Sequence, residues 1–187
     1  YIFYYRNHGK INIQKCKNYK EDFLYKWVHH SIGVNLRLTE LQSAIGLLQL
    51  EKLELWNIRR TNNAQLFTQN LSRISCVRIQ EIPKNLKHAW YKFYFYIVKE
   101  NLKSNWSRNR IIEEINLLGF PAFQGSCSEL YLEKGLKSYI NQEQETLDNA
   151  KLLGDTSVML LVHHTISKLQ MEQYVDAVTS ILLEASR

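Results

Sequence analysis

The hydrophobic pattern divides the chain into an apolar opening, a long helical repeat and a series of short strands and helices. The opening run YIFYY predicts a short buried strand, and the polar turn RNHGK ends it at Gly9. Residues 10–32 are rich in Lys and Asn and carry several aromatic side chains. We expect this connection to fold over the neighbouring surface.

A long helix begins at Thr39. Thr39 and Gln42 form a capping box, in which each side chain accepts a hydrogen bond from a free backbone N–H of the other residue. Apolar residues then recur at helical spacing: Leu41, Ala44, Ile45, Leu48, Leu53, Trp56, Ala64, Phe67 and Leu71. A helix of this length bridges two domains or packs against a partner subunit; a pair of helices broken near Gly46 or Asn57 is the alternative.

Two strands follow the long helix, one in SCVRIQEI and one in HAWYKFYFYIVKE. Alternation in the second strand places one set of side chains on one face: Tyr91, Phe93, Phe95 and Ile97. The opposite face then carries Lys92, Tyr94, Tyr96 and Val98. Aromatic side chains on both faces favour a strand covered on both sides. The other interpretation, an RNA-stacking platform, would require a glycine pattern that this strand lacks.

The remaining elements predict a small sheet covered by helices. Ser107 caps a helix that ends at Gly119, the loop GFPAFQGSCSELYLEK follows, and residues 142–153 indicate another helix. SVMLLVHH is a short apolar strand, and Ser167 with Gln170 opens the terminal helix through a second capping box. After position 39 the main order is helix, strand, strand, helix, strand, helix, which is an α+β arrangement.

Composition and charge restrict the function only slightly. The 187 residues carry a net charge of +6 at pH 7, which suits a nucleic acid, a membrane surface or a phosphorylated substrate. The basic residues are spread from Arg6 to Arg187 without a dense block, so a solvated basic surface is the simpler interpretation. No apolar run is long enough to span a bilayer.

Cysteine and histidine give weak indications of chemistry. Cys16, Cys76 and Cys127 are odd in number and form no CxxC motif, which argues against a disulfide framework or a zinc site and favours a reducing, cytoplasmic compartment. The pairs His29–His30 and His163–His164 lack further ligands at a suitable spacing, so we predict no metal. Cys127, between two serines, is the only plausible cysteine nucleophile.

Asn35 and Arg37 are the strongest candidates for ligand binding. They lie in the irregular segment directly before the capped helix, where the helix dipole and free backbone N–H groups favour an anion. An amide and a guanidinium supply neutral and charged donors to phosphate oxygens. From the residues alone, a role as turn formers is the competing interpretation.

Several motifs together resemble a known family. RNHGK followed by GVNLRLTELQSAIGLLQLEKL, and downstream GFPAFQGSCSELYLEKGL and LGDTSVMLLVHHTIS, resemble segments of the DegT/DnrJ/StrS family in the same order. Members of that family are pyridoxal-phosphate (PLP) aminotransferases that act on nucleotide-linked keto sugars. The resemblance extends from Arg6 to the last helix.

The resemblance implies the carboxy-terminal part of a type I PLP-dependent aminotransferase fold. We therefore expect three regions: the end of the large domain and an interface loop (1–38), a long connecting helix (39–72) and a small α+β domain (73–187). In the family the Schiff-base lysine lies upstream of RNHG, so we expect this fragment to contain no catalytic residue. Lys10 is not that lysine. The opening without Met, which is apolar and aromatic, also suggests a fragment.

The resemblance also implies roles for individual residues. Asn35 matches the asparagine that reaches across the homodimer interface to the PLP phosphate of the neighbouring subunit, and Arg37 matches the arginine two positions later. His8 matches a turn near the active-site mouth, and the 119–131 loop matches a region that approaches the nucleotide sugar. The resulting substrate-binding candidates are His8, Phe123, Ser126 and Tyr131.

The function implied is transamination of a nucleotide-linked keto sugar by an amino-acid donor, in polysaccharide or surface-sugar biosynthesis, with no activity of the isolated chain. Two departures affect the details: His164 stands where the family normally has Pro, and the 119–131 loop lacks the more common substrate signature, so the sugar is not defined. The alternatives are a non-catalytic interaction or complementing module from a truncated or split gene, and nucleic-acid binding through the basic surface.

Overall fold

The computed structural model describes residues 2–10, 29–136, 138–139 and 146–187. The chain forms two compact units, Tyr1–Lys52 and Leu53–Arg187. The α-helices of the described residues are α1 (Ile2–Tyr5), α2 (Glu40–Leu71), α3 (Arg108–Leu117), α4 (Asp148–Thr156) and α5 (Lys168–Ala185), and the strands are β1 (Val77–Ile79), β2 (Phe93–Ile97), β3 (Ala122–Phe123) and β4 (Ser157–Leu160). Single 3-10 turns cover Lys99–Asn101, Leu130–Leu132 and Lys134–Leu136.

The second unit is built on one antiparallel sheet with the strand order β1–β2–β4–β3. In its register Val77 lies opposite Ile97, Phe95 opposite Val158, and Ala122 opposite Leu160. The predicted α+β arrangement is confirmed. β3 was expected to be part of a loop, because two residues are too few to show a strand period.

The core lies on one face of the sheet. Phe93, Phe95 and Ile97 of β2 are buried, as the alternation predicts, whereas Tyr94 and Tyr96 on the other face are half-buried. The helices contribute further fully buried side chains, including Phe67, Leu71, Ile111, Ile115, Met171, Val178 and Leu182. The prediction is wrong for Tyr91, which is 75% exposed because the strand begins only at Phe93.

Helix α2 is continuous over 32 residues, so the alternative of two helices broken near Gly46 or Asn57 is wrong. The predicted capping box is present: the Thr39 N–H donates to Gln42 Oε1 at 3.0 Å, and the Gln42 N–H donates to Thr39 Oγ1 at 3.2 Å. Only the last part of the expected apolar face is buried, at Ala64, Phe67 and Leu71. The earlier apolar positions Leu41, Ile45, Leu48 and Leu53 are exposed.

The prediction of a buried strand at the opening is wrong. Ile2–Tyr5 is a single helical turn, closed by the Arg6 N–H donating to the Ile2 carbonyl, and its side chains are exposed. A short apolar run has no periodicity that separates a strand from a helix, so length and residue type alone suggested a strand. Most of the predicted 10–32 connection, including Cys16, lies outside the described residues.

The remaining boundaries differ from the predictions by a few residues. Ser107 caps α3, and Gly119 takes a φ of +84° just after that helix, as expected. The helix expected at 142–153 is α4, which begins at Asp148; positions 142–145 lie outside the described residues. The strand expected over SVMLLVHH ends at Leu160. The second capping box opens α5.

Candidate functional site

The first unit holds its candidate site by pairing residues 6–10 with residues 29–36. Asn7 and Asn35 form an antiparallel bridge, flanked by the His8 N–H donating to the Val34 carbonyl at 3.1 Å and the Leu36 N–H donating to the Arg6 carbonyl at 2.9 Å. This pairing fixes the backbone on both sides of Asn35.

Two glycines allow the paired segments to approach closely. A Cβ on Gly9, whose φ is +71°, would lie 1.7 Å from the Ser31 carbonyl oxygen. A Cβ on Gly33 would lie 2.3 Å from the Gly9 nitrogen. Because backbone atoms cannot move away as a flexible side chain can, both positions require glycine. The sequence signal for this arrangement was the turn RNHGK, whose Gly9 is confirmed as a turn residue.

Asn35 and Arg37 are exposed, and the Arg37 Nε–H donates to Asn35 Oδ1 at 2.9 Å. This contact uses the one acceptor of the pair and leaves the Asn35 Nδ2 and the terminal guanidinium nitrogens as donors. Neither residue has another side-chain hydrogen bond or ion pair within the described parts of the chain. The set of an amide and a cation therefore suits an anion with several acceptor oxygens, such as a phosphate.

His8 lies in the turn that follows Asn7, and its N–H donates to the Val34 carbonyl. Its φ is +57°, it is half-buried, and its carbonyl accepts a hydrogen bond from His29 Nδ1 at 2.8 Å. The structure thus places His8 and Asn35 on the two paired segments of the first unit, with Arg37 hydrogen-bonded to Asn35.

The 119–131 loop of the second unit is tied to the core at its start. The Tyr174 hydroxyl of α5 donates to the Pro121 carbonyl, and the Phe120 ring stacks on the Tyr174 ring with centroids 5.2 Å apart. The Asn116 side chain of α3 donates to the Ala122 carbonyl at 2.9 Å and accepts from the Ala122 N–H at 3.0 Å. These contacts place β3 against β4 and fix where the loop leaves the sheet.

The three predicted substrate residues of this loop have different surroundings. Phe123 is 44% exposed on β3. Ser126 is exposed, with its Oγ 3.4 Å from the Tyr94 hydroxyl. The half-buried Tyr131 donates its hydroxyl hydrogen to Glu129, and that bond to a carboxylate raises the pKa of Tyr131.

Ser126 lines a groove of about 610 Å³ between the loop and α4, together with Arg108, Lys134, Gly154 and Asp155. Neither Phe123 nor Tyr131 lines it. The loop packs closely on α4, since a Cβ on Gly154 would lie 2.1 Å from Ser128 Oγ. Sequence reasoning missed Arg108, because no local pattern links the first turn of α3 to a loop that follows it.

The competing chemistry has little support in the structure. Cys127 is exposed, and the pKa of its thiol is raised, first by interaction with the Glu133 carboxylate and then by partial desolvation, which opposes the thiolate that a nucleophile requires. His163 and His164 lie with ring centroids 4.1 Å apart, and His164 stacks on Trp56 at 4.3 Å. Among the residues that the structure describes, no group of three or more His, Cys, Asp or Glu side chains could hold a metal.

A family model describes nearly the whole chain. The DegT/DnrJ/EryC1/StrS aminotransferase family matches residues 1–179. The chain belongs to this family. The resemblance seen in the sequence motifs is therefore confirmed.

Individual relatives agree with that assignment. The structure of an aminotransferase from Psychrobacter cryohalolentis is 35% identical, with a TM-score of 0.82, over 98% of this chain and 48% of that one. GDP-perosamine synthase from Caulobacter vibrioides is 22% identical over 81% of this chain and 39% of its own length. The E. coli GDP-4-keto-6-deoxy-D-mannose-3-dehydratase with bound hydrated PLP, at 22% identity, has a TM-score of 0.75 over 97% of this chain and 46% of that one.

The chain spans less than half the length of these relatives. The structural likeness to them confirms that the described helices and small antiparallel sheet are part of an aminotransferase fold. No helix in the described ranges combines the length and the apolar character needed to cross a membrane.

Proposed function

We propose that this chain is the carboxy-terminal part of a homodimeric, PLP-dependent transaminase that acts on nucleotide-linked keto sugars in the cytoplasm. The observation that carries the proposal is membership of the DegT/DnrJ/EryC1/StrS aminotransferase family over residues 1–179. The similarity to a GDP-perosamine synthase supports a nucleotide-sugar substrate, and an amino acid would supply the amino group. PLP, when bound, supplies a conjugated ring that accepts the electron pair released at the substrate carbon.

In this proposal Asn35 and Arg37 hold the PLP phosphate of the neighbouring subunit. Their exposed donors and their mutual hydrogen bond fit an anionic group with several oxygens. The pairing of Asn35 with Asn7 fixes the backbone that carries the amide, and the two glycines keep that pairing close. His8 and the 119–131 loop would line the substrate side. The catalytic lysine is not assigned to this chain.

The phosphate contact can be tested by expressing the open reading frame that contains this sequence and substituting Asn35→Ala. A hydrogen bond to a charged group contributes about 1.5–3 kcal/mol, so we expect the PLP dissociation constant to rise by about tenfold or more. Equilibrium dialysis with fluorescence detection of PLP measures it. Asn62→Ala, which removes an exposed amide from α2, is the matched control and should leave PLP binding unchanged. Equal retention by both variants would contradict the phosphate role.

Action across a subunit interface has its own signature. Asn35→Ala is co-expressed with a second variant of the same reading frame that lacks the Schiff-base lysine, and activity is assayed at a PLP concentration that saturates the unaltered protein but is too low to load Asn35→Ala. If Asn35 serves the neighbouring subunit, a mixed dimer contains one site with both residues intact, and transaminase activity returns. If Asn35 serves its own subunit, every mixed site lacks one of the two residues, and the mixture stays inactive. A reading frame whose product binds no PLP would instead favour the interaction or complementing module.

A further inference from the structure

A cavity of about 490 Å³ lies in the second unit, between α2, the turn that precedes α5 and the first turn of α5. Its volume is within the range of small-molecule sites. The described residues that line it include no carboxylate. Two basic side chains, an imidazole and several carboxamides contribute to the lining: Arg59, Lys168, His164, Asn63, Gln65 and Gln69. The cavity therefore offers a ligand both positive charge and neutral hydrogen-bonding groups.

The positive charge around this cavity is not balanced within the described parts of the chain. Arg59 and Arg60 form no ion pair with a described residue. Lys168 forms one with Glu172 at 3.7 Å, but its side chain is 87% exposed and remains open to a second anion. His164 lines the cavity, and its Nδ1 is buried without a hydrogen-bond partner. A bound oxyanion would pair with these groups and offset the cost of the unpaired nitrogen.

The protonation of His164 reports the same excess of positive charge. Its ring stacks on the Trp56 ring with the centroids 4.3 Å apart. Burial lowers the pKa of His164, and the charges of His163, Arg60 and Arg59 lower it further. These charges come from α2 and from the turn itself, and all of them are positive. An anion in the cavity would act in the opposite direction and favour the protonated imidazole.

The walls of the cavity are held in place by contacts within the chain. The Asn63 amide of α2 donates to the Val162 carbonyl at 3.4 Å and to the His163 carbonyl at 3.2 Å, which ties α2 to the turn that carries His164. Gln65 and Gln69 are exposed and have no side-chain hydrogen bond to a described residue. Their amides are therefore free to donate to a ligand and to accept from it.

We propose that this cavity binds a phosphate monoester of a small hydroxylated compound. Arg59 and Lys168 contact the phosphate, and His164 donates to one of its oxygens. Gln65 and Gln69 form hydrogen bonds with the hydroxyl groups, since carboxamides both donate and accept. A phosphate group alone is much smaller than the cavity, so the lining favours an ester over the free anion. The inference goes beyond the proposed function and involves none of its residues.

The test is isothermal titration of the 187-residue chain with glucose 6-phosphate, inorganic phosphate and glucose. We expect glucose 6-phosphate to bind more tightly than inorganic phosphate, and glucose to show no measurable binding. Arg59→Ala should weaken binding of glucose 6-phosphate by about tenfold or more, and Arg59→Lys should retain part of the affinity. Arg73→Ala, which removes an exposed positive charge outside the cavity, is the matched control and should leave the affinity unchanged.

Sulfate gives a second readout, because its charge does not change between pH 6 and 8. Since a bound dianion favours protonated His164, the sulfate affinity should rise as the pH falls. That rise should be much smaller in His164→Gln, whereas His30→Gln, at an exposed position, should behave as the unaltered chain does.

The assignment is overturned if glucose 6-phosphate does not bind the unaltered chain, or if inorganic phosphate binds at least as tightly. Equal affinities of Arg59→Ala and Arg73→Ala would also overturn it, and both variants should fold because both side chains are exposed. A sulfate affinity that depends on pH equally in His164→Gln and in the unaltered chain would remove His164 from the site.

Discussion

At the scale of single residues, His164 lies in surroundings that change its protonation. Its ring stacks on Trp56, its Nδ1 is buried without a partner, and His163, Arg59 and Arg60 are the nearby positive or titratable groups. Burial, and then these charges, lower the pKa of His164 below 6.5. The folded protein therefore binds fewer protons here than the unfolded chain does.

The sign of the resulting pH dependence follows from that difference. The contribution of His164 to the free energy of unfolding should be complete above a pH of about 6.5, and it should be lost as the pH drops through the lowered pKa. His164→Gln removes this titration, so its loss of stability towards acid should be shallower. Urea denaturation between pH 5 and 8, with Trp fluorescence as the signal, measures the difference. His30→Gln, at an exposed position, is the control and should show the same dependence of unfolding free energy on pH as the unaltered chain. If His164→Gln shows that same pH dependence, the prediction is refuted.

At the scale of elements, two glycines are predicted to respond oppositely to alanine. Gly46 lies inside α2, and an added Cβ would meet no atom within 4 Å, so Gly46→Ala should stabilise the helix by about 0.8–1 kcal/mol. Amide hydrogen exchange around position 46 should slow by about fivefold. Gly9→Ala introduces a side chain at a φ of +71° against the Ser31 carbonyl, and exchange at the Val34 amide should accelerate. If both substitutions changed amide exchange in the same direction, the close approach of the Ser31 carbonyl to Gly9 would not be what requires glycine at that position.

The elements also show what could be predicted from the sequence. The two capping boxes and the Ser107 cap depend on residues within one helical turn, so local patterns located the starts of α2, α3 and α5. Burial depends on distant residues, so the same patterns did not show that Leu41 and Ile45 are exposed. Arg108 was missed for the same reason, because its groove combines α3, the 119–131 loop and α4. The position of Ser126 and Tyr131 within the motif predicted both as site residues. It did not show that Ser126 lines the groove between the 119–131 loop and α4, whereas Tyr131 does not.

At the scale of the whole molecule, the hydrophobic core belongs to the second unit. The buried hydrophobic residues of the described chain run from Ala64 to Ala185. Among the described residues of the first unit, only Gly9 is buried. A unit with so little buried surface of its own is consistent with the proposal that Asn35 and Arg37 work at an interface with a partner.

This division predicts that residues 53–187 fold without the first unit. Since the truncated chain keeps every buried hydrophobic residue that the structure describes, it should unfold cooperatively and retain the near-ultraviolet circular dichroism of Trp90 and Trp106. A second truncation that begins at Ser72 is the matched control. It removes Phe67, whose ring lies 5.2 Å from both Phe93 and Tyr174, and loss of such a buried ring costs about 3–5 kcal/mol. The prediction would be wrong if the chain that begins at Ser72 unfolded cooperatively. It would also be wrong if the chain of residues 53–187 did not, since the core would then depend on residues outside this range.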